Sequence, residues 1–170
     1  MNWDAIQAVA DVCGVFAVMI SIIYVGREIH TNSKSVQAAT THSLAMGLAN
    51  FVDAFLADPK LANAWLIGSR DMTEVDDDYK GQVLGVVIKA MRLSEDVFLQ
   101  YRNGTISESY WAGWKNWILM MANLDSVKKF LDARAAEYSV EFLDFLRSEQ
   151  RPASYASIRD IVDSMGIGDR

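Results

Sequence analysis

The sequence is poor in the residues that build covalent cross-links and metal sites. Its 170 residues include one cysteine, Cys13, and two histidines, His30 and His42. A single thiol excludes an intrachain disulfide and any site with several thiolate ligands. The histidines are separated by twelve positions, which places them about 120° apart around a helix. They are therefore poor ligands for one ion, and we expect no metal site.

Enzyme signatures are also missing. The sequence has no glycine-rich phosphate loop, nucleophile elbow, paired-histidine zinc helix or cysteine pair. Ser126 and Lys129 fit a Ser-x-x-Lys pattern, but Ser126 stands where a helix cap is expected. The acidic run 76–78 suits a solvated helix start, where the macrodipole favours negative charge. We therefore expect neither enzyme activity nor a cofactor.

Positive charge is scarce as well. The chain has 16 basic and 22 acidic residues, which gives a net charge of -6. No lysine and arginine cluster offsets this balance, so nucleic acid is not expected as a partner. Only two prolines interrupt a sequence that is 51% hydrophobic. This composition favours one helical domain with a substantial core.

The most informative feature that is present lies at the start of the chain. Five of the six clearly polar residues between positions 4 and 28 share two positions of a seven-residue repeat, and Arg27 is the exception. We name these a and d positions the a/d seam. Its members are Asp4, Gln7, Asp11, Gly14, Val18, Ser21, Val25 and Glu28.

The remaining faces of this segment are apolar, which predicts a membrane helix. Residues 5–25 are long enough to cross a hydrocarbon core of about 30 Å at about 1.5 Å per residue. The uncharged part, 12–25, also has the length of a buried helix in a soluble bundle, so this alternative stays open. No basic region or cleavage site precedes Arg27, which indicates a retained anchor. Because Arg27 and Lys34 follow the span, we expect the amino terminus outside and the remainder in the cytoplasm.

The pattern as a whole predicts an all-α protein. We expect a single-pass membrane helix over 1–28, continuing as a stalk helix over 29–57, then a small cytoplasmic helical bundle over 58–151 and a tail over 152–170. Within the bundle, helices are expected to start at Pro59, at a Thr73 and Asp76 capping box, after Ser107, at Asp125 or Ser126, and at Ser139, with Gly104 closing the second.

One helix of the bundle is unusually aromatic. Tyr110, Trp111, Trp114 and Trp117 form one broad face of it. Two readings are open. The residues pack in the core, or Trp111, Trp114 and Trp117 form an interface with the lipid headgroups or a neighbouring subunit.

Three segments carry a resemblance. They read REIHTNSKSV after the apolar helix, EDVFLQYRNGTISESYWAGW at 95–114 and YSVEFLDFL at 138–146. The chain resembles a widespread group of uncharacterised short bacterial proteins that have an N-terminal membrane helix and a helical cytoplasmic domain. This resemblance implies the same fold and a bacterial inner membrane, and it transfers no catalytic residue.

The a/d seam allows two main interpretations. In a parallel homo-oligomer the seam turns inward, and it forms either a cation-favouring pore or a closed assembly core. Alternatively, the chain is an accessory or scaffold subunit, and Asp11 pairs with a donor on another membrane protein. The expected partners are thus the lipid bilayer and a second copy of the chain, or another membrane protein. A membrane-tethered enzyme would need a pocket that the sequence does not indicate.

Overall fold

The computed structural model describes residues 3–149, and between positions 3 and 12 it describes the side chains of Trp3 and Gln7 only. Within the described residues the chain is all-α, as predicted: it consists of six α-helices joined by turns and two short 3₁₀ segments. The predicted tail over 152–170 lies outside the described residues.

The first helix, α1, runs without interruption from Trp3 to Ala57. No proline or other strong breaker occurs in this stretch, so the backbone hydrogen bonds continue past the apolar segment. The predicted long helix is confirmed. It ends where Asp58 and Pro59 supply the cap and first residue of the next helix.

The chain divides into two compact units, residues 1–39 and residues 40–170. The second unit begins within the predicted stalk, because the last part of α1 contributes to the bundle core. Leu44 and Phe51 are both buried there. The first unit is the remaining part of α1.

Five further helices complete the second unit. They are α2 (Pro59–Gly68), α3 (Asp77–Arg102), α4 (Glu108–Ala122), α5 (Asp125–Arg134) and α6 (Val140–Ser148). The Asp58 carboxylate accepts hydrogen bonds from the N–H groups of Lys60 (2.9 Å) and Leu61 (3.3 Å). The Ser107 hydroxyl accepts one from the N–H of Tyr110 at 3.3 Å. Both predicted caps are therefore present.

The predicted capping box of α3 is only half right. Asp76 is the cap, since its carboxylate accepts a hydrogen bond from the N–H of Asp78 at 3.1 Å. Thr73 instead lies in the 3₁₀ segment Met72–Glu74, where the Asp71 carboxylate accepts its N–H at 2.9 Å. Asp71 therefore caps the short segment that contains Thr73, and Thr73 takes no part in capping α3. At the other end of α3, Gly104 has a φ of +71°, the left-handed conformation that glycine adopts most easily.

The predicted starts of α5 at Asp125 and of α6 after Ser139 are confirmed, but neither Ser126 nor Ser139 makes a side-chain capping bond. Ser126 is inside the first turn of α5 and buried, and its hydroxyl donates to the carbonyl oxygen of Ser69 at 3.4 Å. Ser139 precedes α6 but makes no side-chain capping bond. Its N–H group instead donates to Glu95 Oε1 at 2.6 Å, which ties the start of α6 to α3.

The core of the second unit is filled by aliphatic and aromatic side chains from α1 to α6. Its largest fully buried members are Phe142, Met91, Ile118, Leu119, Val83, Val87, Val97 and Val127. Phe98 stacks on Phe145 with ring centroids 5.1 Å apart, so aromatic contacts join α3 to α6. The core therefore holds α3 against the helices that follow it.

Candidate functional site

Large apolar side chains cover every side of α1 between Cys13 and Val25, and all of them are exposed in the isolated chain. Ile20 and Ile22 are each 66% exposed, although isoleucine is among the residues most often buried in folded proteins. A helix that is apolar all round needs an apolar environment on all sides.

Within the residues searched, the stretch Cys13–Ala57 of α1 contains one helical segment that is long and apolar enough to cross a membrane, and none of that window is buried. This segment is compatible with a membrane anchor near the start of the chain. In the isolated chain the side chains of residues 13–25 are exposed.

The seam residues whose side chains are described are all exposed. They are Gln7, Gly14, Val18, Ser21, Val25 and Glu28. The side chains of Asp4 and Asp11 lie outside the described residues. Because the other faces of this segment are exposed as well, burial in one chain does not distinguish the seam from them.

A shallow groove lies along one part of the seam. It has a volume of about 400 Å³ and is lined by Ala17, Val18, Ser21, Ile22 and Val25. The hydroxyl of Ser21 donates to the carbonyl oxygen of Ala17 at 2.8 Å, so its hydrogen bond is satisfied within the helix. A small, internally satisfied residue leaves room for a neighbouring helix to approach closely.

Further along α1, exposure follows the seven-residue repeat. Between residues 40 and 57 every a, d, e and g position is exposed, and every b, c and f position is partly or fully buried. The exposed a and d positions there are His42, Met46, Ala49, Asp53 and Leu56. The sequence predicts that the seam continues through Asn32, Ser35, Ala39 and His42, and the same count of sevens extends it to Leu56.

The aromatic face of α4 packs inward. Trp111 and Trp114 are buried, and Trp117 is partly buried. The Trp111 ring stacks on Tyr101 with centroids 4.6 Å apart. Trp117 meets Phe51 of α1 edge to face at 5.9 Å. These contacts belong to the core, so Trp111 and Trp114 are not available as an outward interface.

The polar groups singled out in the sequence lie apart from one another. His30 and His42 are both exposed, as is Cys13. No group of three or more potential metal ligands occurs among the residues searched. Asp77 forms an ion pair with Lys80 at 2.5 Å. The hydrogen bond and charge of Lys80 lower the pKa of Asp77 below its ordinary value.

An open groove of about 600 Å³ lies between the end of α3, α4 and α6. Two of its charged side chains form an ion pair, Lys115 with Glu149 at 2.8 Å. The Tyr101 hydroxyl donates a hydrogen bond to Glu108 Oε2 at 2.7 Å. That hydrogen bond to Glu108 is the main reason why the pKa of Tyr101 is raised. The aromatic rings of Phe98, Trp111 and Phe145 also line the groove.

Comparisons with protein-family models, with curated proteins and with solved structures each return no match.

Proposed function

We propose that this chain is a membrane-anchored protein that assembles into a parallel homo-oligomer through the a/d seam of α1. The anchor is placed in a bacterial inner membrane, with the amino terminus outside and the helical bundle in the cytoplasm. Arg27 and Lys34, which follow the apolar segment, support this orientation.

The observation that carries the proposal is the exposure of α1 on all sides between residues 13 and 25. Burying one large aliphatic side chain is worth about 1.5–3 kcal/mol relative to leaving it in water. A soluble monomer rarely exposes a continuous apolar surface of this kind. Lipid acyl chains would cover it without any contribution from the bundle.

The seam supplies the reason for assembly. A carboxylate such as Asp11 costs on the order of 3 kcal/mol near the centre of a bilayer if it faces lipid. Facing other copies removes Asp11 from lipid, and its charge is then met by water, by protonation or by bound cations in the shared axis. Gly14 leaves open space, since a Cβ added there would meet nothing within 4 Å, and the groove around Ser21 extends this surface. Small residues at such spacings favour close helix packing in membranes.

The proposal includes an axis lined by the seam. Copies of Asp4, Gln7, Asp11 and Glu28 would give it an acidic, cation-favouring character, and Val18 and Val25 would form apolar constrictions. Several ionised carboxylates cannot share a dry axis, so a closed assembly would hold Asp11 protonated or beside bound cations.

The oligomeric state tests the proposal. We expect the chain, expressed alone and purified in detergent, to have the mass of a defined multimer. Gly14→Leu should weaken that multimer, because leucine would keep the seams apart. Gly26→Leu is the matched control, since Gly26 is equally open but lies outside the a and d positions. A clean monomer for the unmodified protein would refute the assembly.

Cation flux into liposomes then separates the open axis from the closed one. In an open axis, Asp11→Asn should change the conductance or the preference for cations, because it removes a ring of charge. A multimer that conducts no cations before any substitution would be a closed assembly core.

A further inference from the structure

The last part of α1 has an unoccupied face with a regular pattern. Over residues 40–57, the bundle covers the b, c and f positions and leaves the a, d, e and g positions uncovered. The covered positions include Leu44 and Phe51 in the core. In a coiled coil the a and d positions face the partner helix and the e and g positions flank them, so the uncovered set is the one that such a contact uses.

Most of the uncovered residues are apolar, and the polar ones are His42, Ser43, Asn50 and Asp53. Met46, Val52 and Leu56 are 48%, 43% and 75% exposed. Ala45 and Ala49 are exposed as well. We call the residues Ala45, Met46, Ala49, Val52, Asp53 and Leu56 the outer face. Alternating large and small side chains of this kind are what a second helix needs in order to interlock with the first.

We infer that the outer face binds the outer face of a second copy of this chain, in parallel and in register, so that the oligomer contact extends beyond the membrane helix into the second unit. This inference rests on the proposed assembly through the a/d seam.

The register identifies the occupant. Counting sevens from Asp4 and Gln7 places Met46 and Asp53 at a positions and Ala49 and Leu56 at d positions. The outer face is therefore in phase with the seam. When two parallel helices pair through one phase of a heptad, the same phase continues to face the partner for as long as the supercoil lasts. A second copy presents the same phase once the two helices supercoil, because the supercoil removes the drift of about 20° per heptad that a straight α-helix shows.

Each layer of such a contact would join equivalent residues. Met46, Ala49 and Leu56 give apolar layers. Asp53 gives the one acidic layer, and it forms no ion pair among the described residues. Lys89 of α3 donates from Nζ to the carbonyl oxygen of Asn50 at 2.8 Å, which places an ammonium group at the edge of the outer face. Asn50 precedes Asp53 by about one helical turn, so this charge would offset repulsion between Asp53 side chains.

Disulfide cross-linking in the full-length protein tests the inference. All variants carry Cys13→Ala, so that each has a single cysteine, and are oxidised in detergent or in membranes. We expect Ala49→Cys and Leu56→Cys to give a covalent dimer in severalfold higher yield than Val140→Cys. Val140 is a matched control because it is 69% exposed but lies on α6.

Ser21→Cys, a d position within the seam, reports the proposed assembly separately. Cross-linking at residue 21 with none above the control level at residues 49 and 56 would overturn the inference and leave the membrane assembly standing. No cross-linking at any of the three would contradict both. Circular dichroism of each variant checks that its helical content and unfolding temperature match the parent.

Discussion

Tyr138 shows how a single buried polar group shapes stability. Its ring is buried, and its hydroxyl finds no hydrogen-bond partner among the described residues. The guanidinium carbon of Arg92 lies 4.5 Å from the centre of the ring, which is a cation–π contact that does not involve the hydroxyl. Burial therefore raises the pKa of Tyr138 above its ordinary value of 10.0.

We predict that Tyr138→Phe stabilises the protein by up to about 1 kcal/mol, since it removes an unpaired buried hydroxyl and keeps the ring. Unfolding of the full chain in detergent, followed by circular dichroism, measures this. Because the pKa of Tyr138 is raised in the folded state, the unfolded state ionises first as the pH rises. The contribution of the neutral Tyr138 to stability is therefore complete below pH 10 and is lost as the pH rises through the folded pKa. The advantage of the variant should therefore increase above pH 10. A destabilised variant would show that the hydroxyl has a partner.

At this scale the sequence predicts a cap well when only neighbouring residues are involved, and poorly when distant residues bind the same groups. Asp58 and Ser107 were found because each acts on the residues that directly follow it. Ser126 and Ser139 were assigned by the same rule, but long-range contacts decide both. Ser126 bonds to Ser69 and the N–H of Ser139 bonds to Glu95, at separations of 57 and 44 residues. Such contacts leave no local signal.

Among the helices, two glycines, Gly68 and Gly85, have opposite surroundings. At Gly68, the end of α2, an added Cβ would lie 2.9 Å from Val75 Cγ2 and 2.9 Å from Val83 Cγ1. Both valines are buried in the core and cannot swing away. At Gly85, in the middle of α3, an added Cβ would meet nothing within 4 Å. Gly68 thus permits the close approach of α2 and α3.

We predict that Gly68→Ala destabilises the protein by about 1–3 kcal/mol, through overpacking. Gly85→Ala should stabilise it by about 0.5–1 kcal/mol, because alanine reduces the conformational entropy of the unfolded chain and clashes with nothing. Chemical denaturation of both variants, in the same detergent, gives the two signs. Equal effects would mean that the packing of α2 on α3 is looser than described.

The sequence predicts where the helices lie along the chain, but it does not predict which residues pack against each helix face. Apolar periodicity, caps and the lack of internal prolines are enough to place α1 to α6 within a few residues. The face of α4 that holds Trp111 and Trp114 had two open readings, because periodicity shows that a face is apolar and not what covers it. Contacts with Tyr101 and with other aromatic rings settle it in favour of the core.

For the whole molecule, the decisive property is the environment of residues 13–25. We predict that Ile20→Arg markedly lowers the fraction of protein that floats with liposomes, since arginine at the centre of a membrane helix costs about 2.5–3.5 kcal/mol. Val140→Arg is the matched control, because Ile20 and Val140 are 66% and 69% exposed. In water the two substitutions would be equally harmless.

Equal flotation of the two arginine variants would argue against a membrane-spanning α1. Protease protection in sealed vesicles would then be uninformative about orientation. If Ile20→Arg alone reduces flotation, the same vesicles show whether the bundle or the amino terminus is on the protected side, which tests the orientation inferred from Arg27 and Lys34.

The distribution of tryptophans gives the molecule a set of internal optical reporters. Trp65, Trp111, Trp114 and Trp117 belong to or pack against the core of the second unit, whereas Trp3 is 69% exposed at the start of α1. Emission from the four core indoles should therefore report unfolding of the bundle. In a Trp3→Phe variant that signal is isolated, and the difference from the parent spectrum is the emission of Trp3 alone. A shift of that difference spectrum to shorter wavelength on adding lipid vesicles would record entry of the first turn of α1 into the membrane interface.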